Sequence, residues 1–248
     1  MAGLGKIYHL MQEGKKTGQK RFALLVDPDK ASDAQLESVA RQSESAGVDL
    51  LFLGGSLVLA DRLTYCLEYL RKASSLPLVL FPGSPLQINH QADALLFLSL
   101  LSGRNPELLI GQQVISAPYL YHSPLEVIGT GYLLIDGGVP TTVSYMSHTN
   151  PIPNDKPDIA LATAMAGAML GLHTIYLDAG SGAQTPVSSE MIGRISREIS
   201  LPLLVGGGIR TPELAGRAAN AGADVIVVGN AIERDTGLLR EMVAAVRG

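Results

Sequence analysis

Short apolar runs recur along the chain at Phe22–Val26, Leu50–Leu53, Leu78–Phe81, Ala94–Leu98, Tyr132–Ile135, Thr174–Leu177, Leu203–Val205 and Asp224–Val228. Most are of strand length and rich in Leu, Val and Ile, the pattern of strands buried on both faces. Stretches with helical periodicity separate most of them: Asp33–Ala46, Pro106–Tyr121, Pro157–Gly171, Ser188–Ile199 and Pro212–Ala221. Ser32, Ser188 and Thr211 mark helix starts, and Thr211-Pro212-Glu213 combines a cap, a first-turn proline and an acid on the helix dipole. Alternation of this kind predicts an α/β fold of parallel strands with crossover helices, and eight strands predict a closed (β/α)8 (TIM) barrel.

The spacing breaks once. Only twelve residues, PGSPLQINHQAD at 82–93, connect the third and fourth runs, and they include two prolines. An outer helix does not fit there, so the third helix is expected to be shortened or missing. Such a ring has either a gap beside strands three and four, lined by leucines and Phe97, or a short connection sealed by neighbouring loops. The 136–154 segment is long for a barrel connection and reads as a lid or a static excursion.

A length of 248 residues with 46% hydrophobic content suits a single barrel domain over 1–248. Mean hydropathy is high at +0.23, and a packed barrel interior absorbs such a surplus. The net charge of −4, from 19 basic and 23 acidic residues, argues against a nucleic-acid surface. Cys66 is the lone cysteine, the first residues lack an apolar core of signal-peptide length, and no run reaches about 18 apolar residues. A cytoplasmic chain is expected.

Candidate chemistry sits where barrel strands end. LPLLVGGGIRTPE and ADVIVVGNAIE each pass from an apolar run through glycine into a helical stretch, and two successive units of this kind suit one phosphate held between them. Asp27, in Asp27-Pro28-Asp29-Lys30, is a candidate Mg²⁺ ligand or a cap of the next helix, and Asp29 reads as a cap. Gly54-Gly55-Ser56 offers close backbone approach with a hydroxyl beside it. Alternation directs Tyr176 and Asp178 to one side, where Asp178 can accept a hydrogen bond from a polyol hydroxyl or take its proton. Tyr176 is alternatively a barrel-layer side chain. The five histidines form no zinc spacing and read as structural or surface residues.

Seven segments in order resemble the geranylgeranylglyceryl phosphate synthases and their heptaprenyl-using relatives: LLVDPDK, LFLGGS, LVLFPGS, ADALLFLSLLSGRNPELLIGQQV, GTGYLLIDGG, YLDAGSGA, and LLVGGGIRTPELA with ADVIVVGNAIE. The resemblance covers nearly the whole chain. It implies a barrel with a replaced third helix that transfers a polyprenyl group from its diphosphate to the 3-hydroxyl of sn-glycerol 1-phosphate. By position, Asp27 and Ser56 would hold Mg²⁺ and the prenyl diphosphate. Tyr176, Leu177, Asp178, Ala179, Gly180 and Ser181 would face glycerol phosphate, with Asp178 and Tyr176 catalytic. Gly206, Gly207, Gly208, Ile209, Gly229 and Asn230 would bind its phosphate.

Three positions depart from the family pattern. Asp178 replaces the usual Glu, Gly129 the common Pro, and Leu25 the lysine of the dimeric heptaprenyl-type group, which favours the second group, often hexameric. A homo-oligomer, hexamer or dimer, is therefore implied, with peripheral membrane contact through the lipid product. The readings outside this family are another phosphate-ligand barrel, such as a sugar-phosphate isomerase or an indole-glycerol-phosphate-like synthase, and a prenyl-lipid binding protein without turnover.

Overall fold

A computed structural model describes residues 4–58 and 62–248. Eight parallel strands close in chain order: β1 (Arg21–Val26), β2 (Leu50–Leu53), β3 (Leu78–Leu80), β4 (Ala94–Leu100), β5 (Glu126–Leu134), β6 (Thr174–Asp178), β7 (Leu203–Gly206) and β8 (Val225–Val228). The last strand pairs with the first, Phe22 opposite Ile226, so no strand edge is left unpaired. The twofold period of a strand then sorts side chains into two layers. Phe22, Leu24 and Val26 pack outward on β1, whereas Ala23 joins the barrel interior; on β6, Ile175 and Leu177 face outward and Tyr176 inward.

The outer helices are α2 (Asp33–Ala46), α3 (Leu63–Ala73), α4 (Gln112–Tyr121), α6 (Pro157–Met169), α7 (Ser189–Glu198), α8 (Pro212–Ala221) and α10 (Leu238–Arg247), with short α5 (Thr142–Ser147) and α9 (Asn230–Arg234) on loops. Ser32 caps α2 in a capping box with Gln35, Ser188 caps α7, and Thr211 caps α8. No outer helix follows β3. A single 3₁₀ turn, Pro85–Gln87, carries the chain into β4, as the spacing predicts.

Several boundaries differ from the sequence pattern. β5 begins at Glu126 rather than Tyr132, because Gly129, Thr130 and Gly131 interrupt the apolar run without breaking the ladder. Thr130 is satisfied inside the sheet, where the Thr174 hydroxyl donates to it at 2.9 Å. Gly129 donates its N–H to His173 Nδ1 at 3.1 Å, a bond that proline cannot make. The 106–121 helix opens with a π-helical turn, Glu107–Gly111. Asp224 stands outside β8, its carboxylate accepting from the Leu203 N–H at 2.9 Å and pairing with Lys15 at 3.2 Å. Within 136–154, α5 carries its own capping box at Thr141, and Ile152 bridges back to Ile135.

A helix absent from the sequence reading, α1 (Lys6–Thr17), closes the N-terminal end of the barrel. Ile7, Tyr8 and Met11 complete the inner layer there. Gly5 offers α1 no side-chain cap, so the buried Glu126 supplies one from the start of β5. Its Oε2 accepts from Ile7 N–H at 3.0 Å and its Oε1 from Tyr8 N–H at 2.7 Å. Removing the carboxylate leaves two buried donors unsatisfied. Glu126→Ala is expected to lower stability by about 2–4 kcal/mol, read from the urea midpoint at constant slope.

Candidate active site

One corner of the barrel mouth is built by β1, β2 and the short third connection. Asp27 follows β1, with Oδ1 accepting from the Asp29 N–H at 3.1 Å and Oδ2 lying 2.6 Å from Lys30 Nζ. Neither Asp27 nor Asp29 caps α2, because Ser32 does. A Cβ on Gly55 would sit 3.8 Å from the Asp27 carboxylate, so the Gly55 backbone runs beside it. The third connection fixes that backbone: buried Gln87 donates from Nε2 to Gly55 O at 3.0 Å and accepts from Gly83 N–H at 3.2 Å. Gly83 is needed there, since its Cβ would lie 2.4 Å from Gly55 O.

The missing helix leaves an apolar cavity of about 510 Å³. It starts at Gly55 and Ser56 and runs along Leu95, Phe97 and Leu98. The α5 loop supplies Val143 and Met146 to its wall, and α4 supplies Gln113 and Ser116. Of the two forms expected for the short connection, the structure has the gap.

The second corner is built by β5, β6, β7 and β8. Tyr176 and Asp178 both point inward, as alternation predicts. Tyr176 stacks on Phe81 with ring centroids 5.1 Å apart and meets Tyr132 edge-on at 5.6 Å. Asp178 is 8% exposed; its Oδ2 accepts from the Tyr132 hydroxyl at 2.5 Å and its Oδ1 from the Gly180 N–H at 2.8 Å. Burial pushes the Asp178 carboxyl above the ordinary aspartate value, and the bonds from Tyr132 and Gly180 pull partly back. Tyr132 also lines the apolar cavity, so the two corners meet at its ring.

Glycines surround Asp178. Gly180, Gly207 and Gly208 have φ of 88°, 79° and 70°. A Cβ on Gly207 would approach Gly180 N to 2.5 Å and Asp178 Oδ1 to 2.6 Å. Ser181 and Asn230 join across the opening, Asn230 Nδ2 donating to Ser181 Oγ at 3.0 Å. Leu177, Ala179 and Ile209 pack with the outer cluster, so only their backbones face this corner. At the start of α8, Thr211 Oγ1 accepts from the Leu214 N–H, the cap expected of it. The half-buried glycine backbone at 207–208 and the start of α9 at Gly229, which no side chain caps, are what border the opening.

Sequence reasoning missed Tyr132, Gln87 and Phe81. Register supplies the one usable signal: Tyr132 pairs with Tyr176 and Leu134 with Asp178, which places the Tyr132 ring inside the same mouth. Among the described residues no group of three or more His, Cys, Asp or Glu side chains gathers into a protein-only metal site.

The sequence pattern of the PcrB family matches residues 15–247. The chain belongs to the PcrB family. This PcrB-family chain is 55% identical over 241 residues to the geranylgeranylglyceryl phosphate synthase of Chitinophaga pinensis, covering 97% of this chain and 96% of the relative. The synthase of the same name from Korarchaeum cryptofilum is 41% identical, with 96% of each chain covered. The crystal structure of (S)-3-O-geranylgeranylglyceryl phosphate synthase from Thermoplasma acidophilum, in complex with sn-glycerol-1-phosphate, superposes with a TM-score of 0.91 at 33% identity, covering 98% of this chain and 99% of that one.

Crowding at Gly207 is testable against a matched control. Gly207 and Gly18 share nearly the same φ, 79° and 78°, but nothing lies within 4 Å of a Cβ on Gly18. Both alanine variants carry backbone strain of about 1 kcal/mol. Gly207→Ala adds a clash with the Gly180 backbone and Asp178 and is expected to lower the urea midpoint further than Gly18→Ala does.

Proposed function

We propose that this chain is a geranylgeranylglyceryl phosphate synthase, an enzyme that transfers a polyprenyl group, geranylgeranyl by preference, from its diphosphate to the 3-hydroxyl of sn-glycerol 1-phosphate. The observation that carries the reading is the apolar cavity meeting the glycine-bordered Asp178 corner at Tyr132. A sugar-phosphate isomerase or an indole-glycerol-phosphate-like synthase has no use for such a cavity, and a mere lipid-binding protein has none for a carboxylate held at the barrel mouth against a ring that lines it. Incubation with labelled sn-glycerol 1-phosphate and prenyl diphosphates of several lengths tests it: an ether product supports the reading, and no product at any length refutes it.

The phosphate of glycerol phosphate is assigned to the backbone of Gly206, Gly207 and Gly208 together with Gly229, Asn230 and Ser181. Its hydroxyl end then lies toward Tyr176 and Asp178. Each carboxylate oxygen retains a lone pair after its present bond, so Asp178 can accept from the 3-hydroxyl as well. As the prenyl carbon–oxygen bond to diphosphate breaks, its electron pair leaves with diphosphate, the 3-oxygen bonds to that carbon, and Asp178 takes the proton. The rings of Phe81, Tyr132 and Tyr176 shield the reacting carbon from water.

Magnesium fits the other corner. It prefers one or two carboxylates completed by substrate phosphate oxygens, and Asp27 offers one hard carboxylate beside the Gly55–Ser56 backbone, where the cavity begins. Asp27 and Ser56 would hold it, and when bound it neutralises charge on the departing diphosphate.

The reading extends to assembly and location. α4 turns Gln113 and Ser116 inward and exposes Val114, Ile115 and Tyr119, the reverse of ordinary amphipathicity. α6 exposes Met165 and Met169, and Leu170 just beyond it, with Met169 89% exposed, and a second copy covering these faces explains both. Leu86, 95% exposed on the cavity rim, supports passing contact with a membrane that receives the lipid product. No helix among the described residues is long and apolar enough to cross one, and a cytoplasmic location accords with the single, buried, free Cys66.

Asp178→Asn is expected to lower kcat by about 10²–10⁴-fold with the fold intact, and Asp27→Ala to abolish transfer. Because Asp178 must be ionised and burial raises its pKa, the acid limb of kcat/KM should lie above the ordinary aspartate value. Tyr132→Phe removes a bond that lowers that pKa, so the limb should move to still higher pH. The Val114→Glu/Met169→Glu double variant is expected to sediment as a smaller species than the wild type.

A further inference from the structure

Lys30 has no part in the roles assigned above, yet it touches the residue assigned to the metal. Its Nζ lies 2.6 Å from Asp27 Oδ2, while the Asp29 N–H engages Oδ1. An ammonium and a divalent cation are both compact positive charges that seek the same hard oxygen. The Asp27 side chain is mostly covered and Lys30 is half-exposed on a flexible four-carbon stem, so the lysine is the partner free to move.

We propose that Lys30 is a displaceable counter-ion: it holds Asp27 Oδ2 until a magnesium-bound diphosphate takes that oxygen, whereupon its ammonium pairs with the diphosphate. The proposal rests on the assignment of Asp27 to the metal and of prenyl diphosphate to the cavity. Its physical content is a difference in sign. A bare divalent cation adds positive charge beside the ammonium, so Lys30 opposes it. The diphosphate complex of that cation carries net negative charge, so Lys30 favours it. One side chain thereby keeps the site from filling with metal alone and reserves it for metal that arrives with substrate.

Calorimetric titration of the full chain with Mg²⁺ alone, and with inorganic diphosphate at saturating Mg²⁺, separates the two effects. Lys30→Met is expected to bind Mg²⁺ alone about fivefold more tightly and Mg²⁺-diphosphate about fivefold more weakly, the size of a partly exposed ion pair. Lys30→Arg, which keeps the charge, should retain the wild-type order. Affinities that move in the same direction, or a Lys30→Met protein with unchanged Mg²⁺ affinity, overturn the proposal without touching the reading of the chain as a prenyl transferase. A wild-type protein that binds no Mg²⁺-diphosphate overturns the assignment of Asp27 and this proposal with it.

Discussion

A closed ring of eight parallel strands leaves each residue only two directions, and the chemistry of this protein follows from which residues point inward at the strand ends. Because β5 and β6 are in register, with Tyr132 opposite Tyr176 and Leu134 opposite Asp178, two phenol rings and a carboxylate converge on one space. A shift of β6 by one residue would send Asp178 into the outer helices and bring Leu177 to the mouth, and the same shift of β5 would turn Tyr132 away. Closure forbids that slip, because every strand is held from both sides.

Placing a carboxylate inside an apolar barrel is costly unless its oxygens are bonded. Here one oxygen is held by a phenol from a neighbouring strand and the other by an amide two residues on, so the group is fixed in direction and still able to accept a proton. The same logic recurs at the opposite end of the barrel, where Glu126 serves the first turn of α1. Buried acids hold down backbone at one end and face the mouth at the other.

What was legible in the sequence was local. Strand positions, the Ser32 and Thr211 caps, the shared side of Tyr176 and Asp178, and the twelve residues too few for a helix all follow from periods and lengths over short stretches. The contacts that complete the site are not local: Tyr132 reaches Asp178 across 46 residues and Glu126 reaches Ile7 across 119, and no pattern in one chain fixes such pairs. The anion-binding reading was half legible for a related reason. The glycines at 206–208 can be read along the chain, but their close approach to Gly180 and Asp178 is set by the closed barrel. The family likeness implied which segment faces glycerol phosphate, whereas the outward packing of Leu177, Ala179 and Ile209 emerged only with the barrel closed.

The 3₁₀ turn at Pro85–Gln87 stands where other barrels place a full helix, and Leu95 and Phe97 border the space it leaves. In an ordinary barrel that surface is covered by the chain itself, as part of folding. On the proposed reading, the hydrocarbon tail of the substrate is the element that finishes the core. Substrate supply and conformational stability then become one thermodynamic quantity: a ligand that binds only the folded chain stabilises it, and product release returns the molecule to a less complete version of its own fold.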